Sequence, residues 1–417
     1  MISQEQNDLL TRIGHGTPAG KLLRRYWQPV ALTEELPKGG APLSVEILGE
    51  RLVLFRDDRD RFGLLELHCS HRGADLSYGR VEDGGLRCIY HGWLYDVCGK
   101  VLDMPGEADG GEKIRDSIRH VAYPCQEAGG VIFGYLGPAP APLLPRYEFL
   151  FVPEEQRSVT KVFQNCNYLQ GNEGNIDPVH ISFLHRINDR NRPQDEIKRR
   201  DIAPTIDVEL TNFGLRVYAL RNAGPEEQLV RITNFIMPNL AAFNGAMEGQ
   251  GYSVNWHVPI DDTHHWKYSF IFSRKQALSD TLRGKNRFET TADYKPVRRQ
   301  ENRYLQDRAS MSVIYTGLGR NFMDHDICVT EGPGPIQDRT KEHLISSDIA
   351  IVASRKLLLS SLKDIEEGRD PAHVVRDAQA NRFTNLVVAS EVIPKALNRR
   401  DFAKNKAAEL QRLFEGR

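Results

Sequence analysis

The chain of 417 residues carries 55 basic and 56 acidic side chains, a formal net charge of −1. That balance excludes the one-signed surface of a protein built to bind nucleic acid or an anionic membrane. The length calls for two or three domains, and no run approaches the roughly 20 apolar residues of a membrane span.

Leu9, Leu10 and Ile13 behind Ser3 predict a helix over residues 3–13 with that serine as its cap. Gly16-Thr17-Pro18 interrupts it, and a second short helix is expected over Lys21–Tyr26. Acidic and polar residues stand where a secretory signal needs a basic start and an apolar run, so the expected location is cytoplasmic. From Trp27 to Pro138 the pattern becomes short alternating runs such as Leu43–Leu48 and Leu52–Phe55 between Gly, Asp and Pro turns, which reads as an all-β unit. Pro138, Pro140, Pro142 and Pro145 make a stiff connector that cannot continue a sheet or helix. The expected division is therefore a helical lead-in over 1–26, an all-β unit over 27–138 and a second unit over 139–417.

That second unit reads as mixed, giving an α+β chain overall. A helical stretch is expected over Tyr168–Leu184, strands over Val208–Leu220, Gln228–Met237 and His264–Phe272, and helices over Pro296–Leu305, Ser346–Glu367 and Arg382–Glu391. The charged run from Arg186 to Arg200 reads as a solvated loop. Arg216, Arg221 and Arg231 lie on or beside predicted strands, where a guanidinium can grip a carboxylate, although strand arginines are more often surface residues. No Gly-x-Gly-x-x-Gly fingerprint follows a predicted strand, so a dinucleotide domain is not expected.

The chemistry begins at Cys69-x-His71 and Cys88-x-x-His91, two half-sites separated by a sixteen-residue spacer. A structural zinc site usually pairs its two cysteines in one knuckle and its two histidines in another. Here each knuckle contributes one of each. Two thiolates on one iron and two imidazoles on the other suit a two-iron, two-sulfur cluster, with a reduction potential above that of an all-cysteine cluster. Each half also has a glycine just past its histidine, in His71-Arg72-Gly73 and His91-Gly92, as tight loops around cluster sulfurs need. The strings Cys69-Ser70-His71-Arg72-Gly73 and Cys88-Ile89-Tyr90-His91-Gly92-Trp93 resemble the Rieske iron-sulfur proteins. Respiratory members usually add a disulfide-forming cysteine to each loop. Neither loop has one here, which favours the oxygenase and soluble ferredoxin branches, and the scattered Cys98, Cys125, Cys166 and Cys328 read as reduced thiols.

Downstream, Asp177, His180 and His185 place one carboxylate and two imidazoles within nine residues. Such a set can hold non-heme iron(II) with positions left for dioxygen. The plainer reading is a pair of core or capping histidines, because residues five apart on an ideal helix point about 140° from one another. Together with the cluster motif, however, the segment resembles the large subunit of Rieske non-heme iron oxygenases, and with Gly16-Thr17-Pro18 at the N-terminus, the phthalate dioxygenase group. The resemblance implies an all-β Rieske domain joined to a catalytic domain whose antiparallel sheet is flanked by helices. It implies His180 and His185 as iron ligands and Asp177 as a bridge toward a cluster histidine. The third ligand is a distant carboxylate, best matched by Asp326, with Asp324, Asp338 and Asp348 as rivals. His325 beside it reads as a solvent-facing loop histidine. The resemblance further implies dioxygen and an aromatic acid as substrates, ring dihydroxylation or O-demethylation as the reaction, and a separate reductase with flavin and iron-sulfur centres. It also implies a homotrimer or dimer of trimers. The alternative is an electron-transfer protein that uses the Rieske cluster alone.

Overall fold

The computed structural model describes residues 2–190, 192–245, 250–283 and 288–415. Helix α1 (Gln4–Thr11) starts at a reciprocal cap in which Ser3 Oγ accepts from Gln6 N and Gln6 returns a bond to Ser3 N. Helix α2 (Pro18–Leu23) begins three residues before the expected Lys21, because Thr17 caps it and Pro18 fits its first turn. Helix α1 docks on the C-terminal half: Tyr168 Oη donates to Leu10 O at 2.9 Å and Asn167 Nδ2 to Thr11 O at 2.9 Å.

Three antiparallel sheets follow. One runs β1 (Gln28–Leu32), β11 (Val131–Gly134), β10 (Cys125–Ala128); a second runs β2 (Leu43–Ile47), β3 (Glu50–Arg56), β4 (Phe62–Glu66), β9 (Ala122–Tyr123). The third, of four short strands, runs β5 (Arg80–Glu82), β6 (Gly85–Arg87), β7 (Leu94–Tyr95), β8 (Val101–Asp103). A local core of Val53, Phe55, Leu65, Leu76, Leu86 and Tyr95 packs beneath Cys69 and Cys88. The eight-stranded sheet of the C-terminal half runs β12 (Arg157–Gln164), β18 (His265–Phe272), β17 (Ser253–Pro259), β16 (Leu240–Phe243), β15 (Glu227–Ile236), β14 (Gly214–Asn222), β13 (Thr205–Leu210), with β19 (Ala389–Pro394) paired to β15. Its apolar face shares one core with the N-terminal half, in which Phe133 packs on Trp256 at 5.3 Å between ring centroids.

The helices that shape the site are α3 (Tyr168–Ile176), α4 (Pro193–Arg200), α5 (Phe322–Glu331) and α6 (Ile349–Glu366); α7 (Arg399–Glu415) closes the chain. The expected strand Val208–Leu220 is a hairpin, turned where Thr211 N bonds Gly214 O. Gly214 has φ of +144°, and a Cβ there would stand 2.4 Å from Phe235 O. No helix spans Pro296–Leu305. A 3-10 turn covers Gln300–Leu305 with Arg303 and Tyr304 in left-handed conformation, while Tyr304 Oη is tied to Glu331 at 2.8 Å. Nor is Arg382–Glu391 helical: the β-branched residues around Val387 and Val388 lead into β19 on the sheet edge. Among the described residues no helix is long and apolar enough to cross a membrane.

Candidate metal centres and their cavity

The two cysteine knuckles are copies of one loop. Cys69 N donates to Ala74 O and Gly73 N to Cys69 O, both at 2.8 Å; Cys88 N donates to Trp93 O at 2.8 Å and Gly92 N to Cys88 O at 3.0 Å. Gly73 and Gly92 have φ of +72° and +76°, which only glycine adopts cheaply. Both sulfurs are buried, whereas His71 is exposed and its ring lies 4.5 Å from that of His91. Trp93 stacks on His71 at 4.7 Å, and Tyr95 Oη lies 3.0 Å from Cys69 Sγ. Burial pushes the Cys69 thiol up, so a thiolate there needs a cationic partner, which the iron of a cluster supplies.

The second centre depends on a broken helix. Pro178 disfavours the helical conformation at Asp177, so α3 ends at Ile176 and Asp177 is extended at φ −79°, ψ 116°. Asp177 Oδ1 then accepts from Val179 N at 2.7 Å and starts a 3-10 turn over His180–Ser182. The single helix expected to Leu184 is therefore corrected, and with it goes the 140° separation of the two histidines. Their rings meet edge to face at 4.9 Å. Arg221, buried beneath, donates to Pro178 O at 3.0 Å and Ser182 Oγ at 3.1 Å and holds the turn in place.

Asp326 comes from the far side, on α5, whose N-cap Asn321 accepts from Met323 N. His185 Nε2 lies 3.1 Å from Asp326 Oδ1, and one ligand atom each from His180, His185 and Asp326 fall within 4.8 Å of one another. Burial lowers His185 to about 4, leaving a neutral imidazole. Asp326 stays ionised against its own burial with Lys267 beside it, Nζ lying 3.9 Å from Oδ2. Two imidazoles and one carboxylate suit a divalent iron with open positions.

His325 is not solvent-facing. It is fully buried on α5, with Nε2 donating to Gly319 O at 2.8 Å, so its Nδ1 is an acceptor. His185 Nδ1 lies 3.4 Å away and donates to it, which leaves the lone pair of His185 on Nε2, facing Asp326. A backbone carbonyl thus fixes the tautomer of a candidate ligand histidine through a second ring.

The triad lines a cavity of about 580 Å³. Phe243, Ile271, Phe288 and Phe322 give it apolar surface, and Phe322 stacks on His185 at 4.4 Å. Arg190, Arg192, Lys198, Arg231, Lys267 and Arg320 line it as cations, against Asp177, Asp195 and Asp326 as anions. Burial and the nearby Arg231 lower Lys198 to about 8. The charged run is therefore no solvated loop: its second half is α4, and Arg190, Arg192, Asp195 and Lys198 face the cavity, while Asn191 lies outside the described residues. Of the three strand arginines only Arg231 reaches the cavity, since Arg216 is paired with Glu209 at 3.0 Å and Arg221 supports the histidine turn.

A family model described as Rieske 2Fe-2S domain matches residues 26–121, and one described as LigXa C-terminal domain like matches residues 134–415. The oxygenase subunit of phthalate 4,5-dioxygenase from Pseudomonas putida is 34% identical, over 96% of this chain and 95% of that one. The chain belongs to the Rieske non-heme iron oxygenases. The oxygenase subunit of 5,5'-dehydrodivanillate O-demethylase from Sphingobium sp. (strain NBRC 103272 / SYK-6) is 31% identical, over 99% of this chain and 93% of that one. Among solved structures, Pseudomonas putida CBB5 NdmA, a QL mutant with theobromine, shares the fold at a TM-score of 0.60 and 20% identity, covering 83% of this chain and 92% of that one. This Rieske oxygenase carries a 2Fe-2S cluster and, in its catalytic domain, a mononuclear iron. It is the oxygenase component, so the reading as a mere electron carrier falls away.

Of the rivals to Asp326, Asp324 is buried against Arg298 at 3.5 Å and pushed up to about 6, Asp338 caps a 3-10 turn, and Asp348 accepts from Ile345 N at 2.8 Å. None joins the two histidines. Sequence reasoning missed Lys198, Lys267 and His325, along with the polar face of β17 and β18. The strict alternation in Ser-Val-Asn-Trp-His-Val and His-Trp-Lys-Tyr-Ser was a usable signal for that face, but alternation reads as polar-to-water.

Proposed function

We propose that this Rieske oxygenase oxidises an aromatic carboxylic acid, by ring dihydroxylation or O-demethylation, with electrons from a separate NAD(P)H-dependent reductase bearing flavin and iron-sulfur centres. The observation that carries the reading is one cavity holding both the His180, His185, Asp326 set and the Lys198 and Arg231 cations beside apolar side chains. Two half-buried like charges repel, and a carboxylate between them adds to the relief that Asp195 gives Lys198 at 3.3 Å, while its ring packs on Phe243 and Phe322. Relatives bearing the names phthalate 4,5-dioxygenase and dehydrodivanillate O-demethylase support that substrate class, and their description as oxygenase subunits supports a separate electron donor.

In this reading Cys69, His71, Cys88 and His91 hold the cluster, and His180, His185 and Asp326 hold the mononuclear iron. Bound there, the iron supplies dioxygen activation, using electrons that the cluster delivers singly. Asp177 orients His180, whose Nδ1 lies 3.6 Å from Asp177 Oδ2, and its carboxylate, one quarter exposed, bridges outward to a cluster histidine of a neighbouring subunit. Tyr78, Ile89 and Tyr90, exposed by 72%, 61% and 55% on or beside the cluster loops, support a trimer in which that surface is covered. The free thiols Cys98, Cys125, Cys166 and Cys328 support a cytoplasmic location.

Product analysis tests the function. Holoenzyme, a surrogate reductase and iron(II) are given benzoates, phthalates, phenoxybenzoates and methoxybenzoates. A cis-diol shows dihydroxylation and formaldehyde shows demethylation; oxidation of uncharged aromatics alone would overturn the reading.

A further inference from the structure

The cavity face of β17 and β18 is unusual for a buried sheet. Ser253, Asn255 and His257 share it with His265, Lys267 and Ser269, and all six are buried. Helix α3 lies so close above that a Cβ on Gly171 would stand 2.4 Å from His257 Nδ1. Buried polar groups cost free energy unless they are bonded, and here a chain of bonds runs through them.

Its polarity is set by one backbone carbonyl. Asn175 Nδ2 donates to Gly171 O at 2.9 Å, so Asn175 Oδ1 faces Asn255 and accepts from Asn255 Nδ2 at 2.7 Å. Asn255 Oδ1 in turn accepts from Ser269 Oγ at 2.7 Å. Asn175 Nδ2 also donates to His257 Nε2, which places that ring's proton on Nδ1. From Nδ1 it donates to His265 Nε2 at 2.8 Å, and His265 Nδ1 donates to Cys166 O at 2.7 Å. Gln164 ends the row with Oε1 placed 2.7 Å from His265 Nε2, where the reversed amide would donate its N–H. Neither asparagine and neither imidazole in this row can reverse without breaking a bond.

A primary amide has two N–H donors and two acceptor lone pairs, and these bonds use one of each on Asn255. Asn175, Asn255 and Ser269 all line the cavity that holds the metal triad. A ring hydroxyl, which donates once and accepts once, complements what Asn255 has left; an alkoxy oxygen complements its N–H only. We propose that Asn255, oriented by Asn175 and Ser269, is a specificity-determining residue that binds a neutral oxygen substituent, hydroxyl before alkoxy, on the ring of the substrate. The proposal rests on the aromatic-acid reading above and adds to it a second recognition group. His257 and His265 are positioning residues, holding Asn175 from below.

Titration calorimetry of the holoenzyme under nitrogen, where no turnover occurs, tests it. The 3- and 4-hydroxybenzoates are compared with their isosteric methylbenzoates, and phenol with toluene. The parent is expected to bind each hydroxyl probe at least about tenfold more tightly than its methyl partner. Asn255→Leu should erase that preference and leave methylbenzoate affinity within about threefold. Equal binding of the pairs by the parent, or an intact preference in the variant, overturns the proposal. Should Asn255→Leu fail to fold, Ser269→Ala frees Asn255 Oδ1 and must lower the preference severalfold; no change overturns it. Failure of the carboxylate reading looks different, because methylbenzoate would then bind no better than toluene whatever the hydroxyl preference.

Discussion

The cluster loops take their four candidate ligands from two copies of a six-residue turn, each closed by its own backbone hydrogen bonds and a left-handed glycine. The mononuclear site takes three candidate ligands from a broken helix end and from a second helix about 140 residues further on, and it depends on Pro178, Arg221, Gly319 and His325 to aim them. A locally closed loop carries its geometry with it. A distributed site exists only once the sheet and helices are packed, so its residues are exposed to failure at many more positions. The surroundings differ in the same sense: histidine rings near the surface in one case, a buried cavity with its own electrostatics in the other.

The sharpest break between the two sites is Asp326→Ala. It removes the only carboxylate among the described residues that joins the histidine pair, so iron content should fall from about three to about two per chain, with product formation lost and the reduced-cluster spin signal unchanged. Loss of the cluster signal as well would show that the two sites do not fold independently. Next comes Asp177→Asn, which keeps His180 and His185 but replaces a carboxylate with an amide facing His180. Both metals should remain, with coupled turnover down by orders of magnitude. Single-turnover electron transfer at the parent rate would show that Asp177 is no bridge.

Legibility followed the same division. Cys69, His71, Cys88 and His91 could be read as a set because spacing alone fixes them relative to one another, and the all-β pattern around them is dictated by alternation. His180 and His185 were readable as types, but their approach was not, since one continuous helix to Leu184 would hold them about 140° apart and Pro178 breaks that helix. Asp326 needed the resemblance, for no spacing rule links it to residue 185. His325 and Lys198 were misplaced for a common reason: polar residues in charged or loop-like strings are assigned to solvent, and only the packing of α4 and α5 over the cavity turns them inward. The hairpin at Thr211–Gly214 and the strand at Ala389–Pro394 were lost to turn chemistry and to tertiary pairing with β15.

A smaller effect probes how far the distributed site relies on its surroundings. His325→Phe keeps an aromatic ring at the buried position but removes the acceptor that holds the His185 proton on Nδ1. Iron affinity should fall about 10- to 100-fold, as measured by competition with a chelator, while cluster content stays at the parent level. His325→Gln, which can still accept, should recover part of the loss. An affinity equal to the parent in His325→Phe would mean that iron alone orients His185.

The smallest expected change concerns the cavity's charge. Burial, and after it Arg231 and Arg221, push Lys198 down while Asp195 draws it up, for a net value of about 8. In the free protein Lys198 is therefore cationic below that pH and loses its proton above it. An aromatic carboxylate that needs the ammonium should bind with constant affinity up to about pH 7, about half as tightly at pH 8 and about tenfold more weakly by pH 9. Lys198→Arg, whose guanidinium stays charged, should flatten the profile over the same interval. A parent profile already flat between about pH 7 and 9.5 would remove Lys198 from carboxylate recognition and leave Arg231 to carry it. In the parent, the decline above pH 8 would arise in the cavity, because the cluster loops hold no lysine.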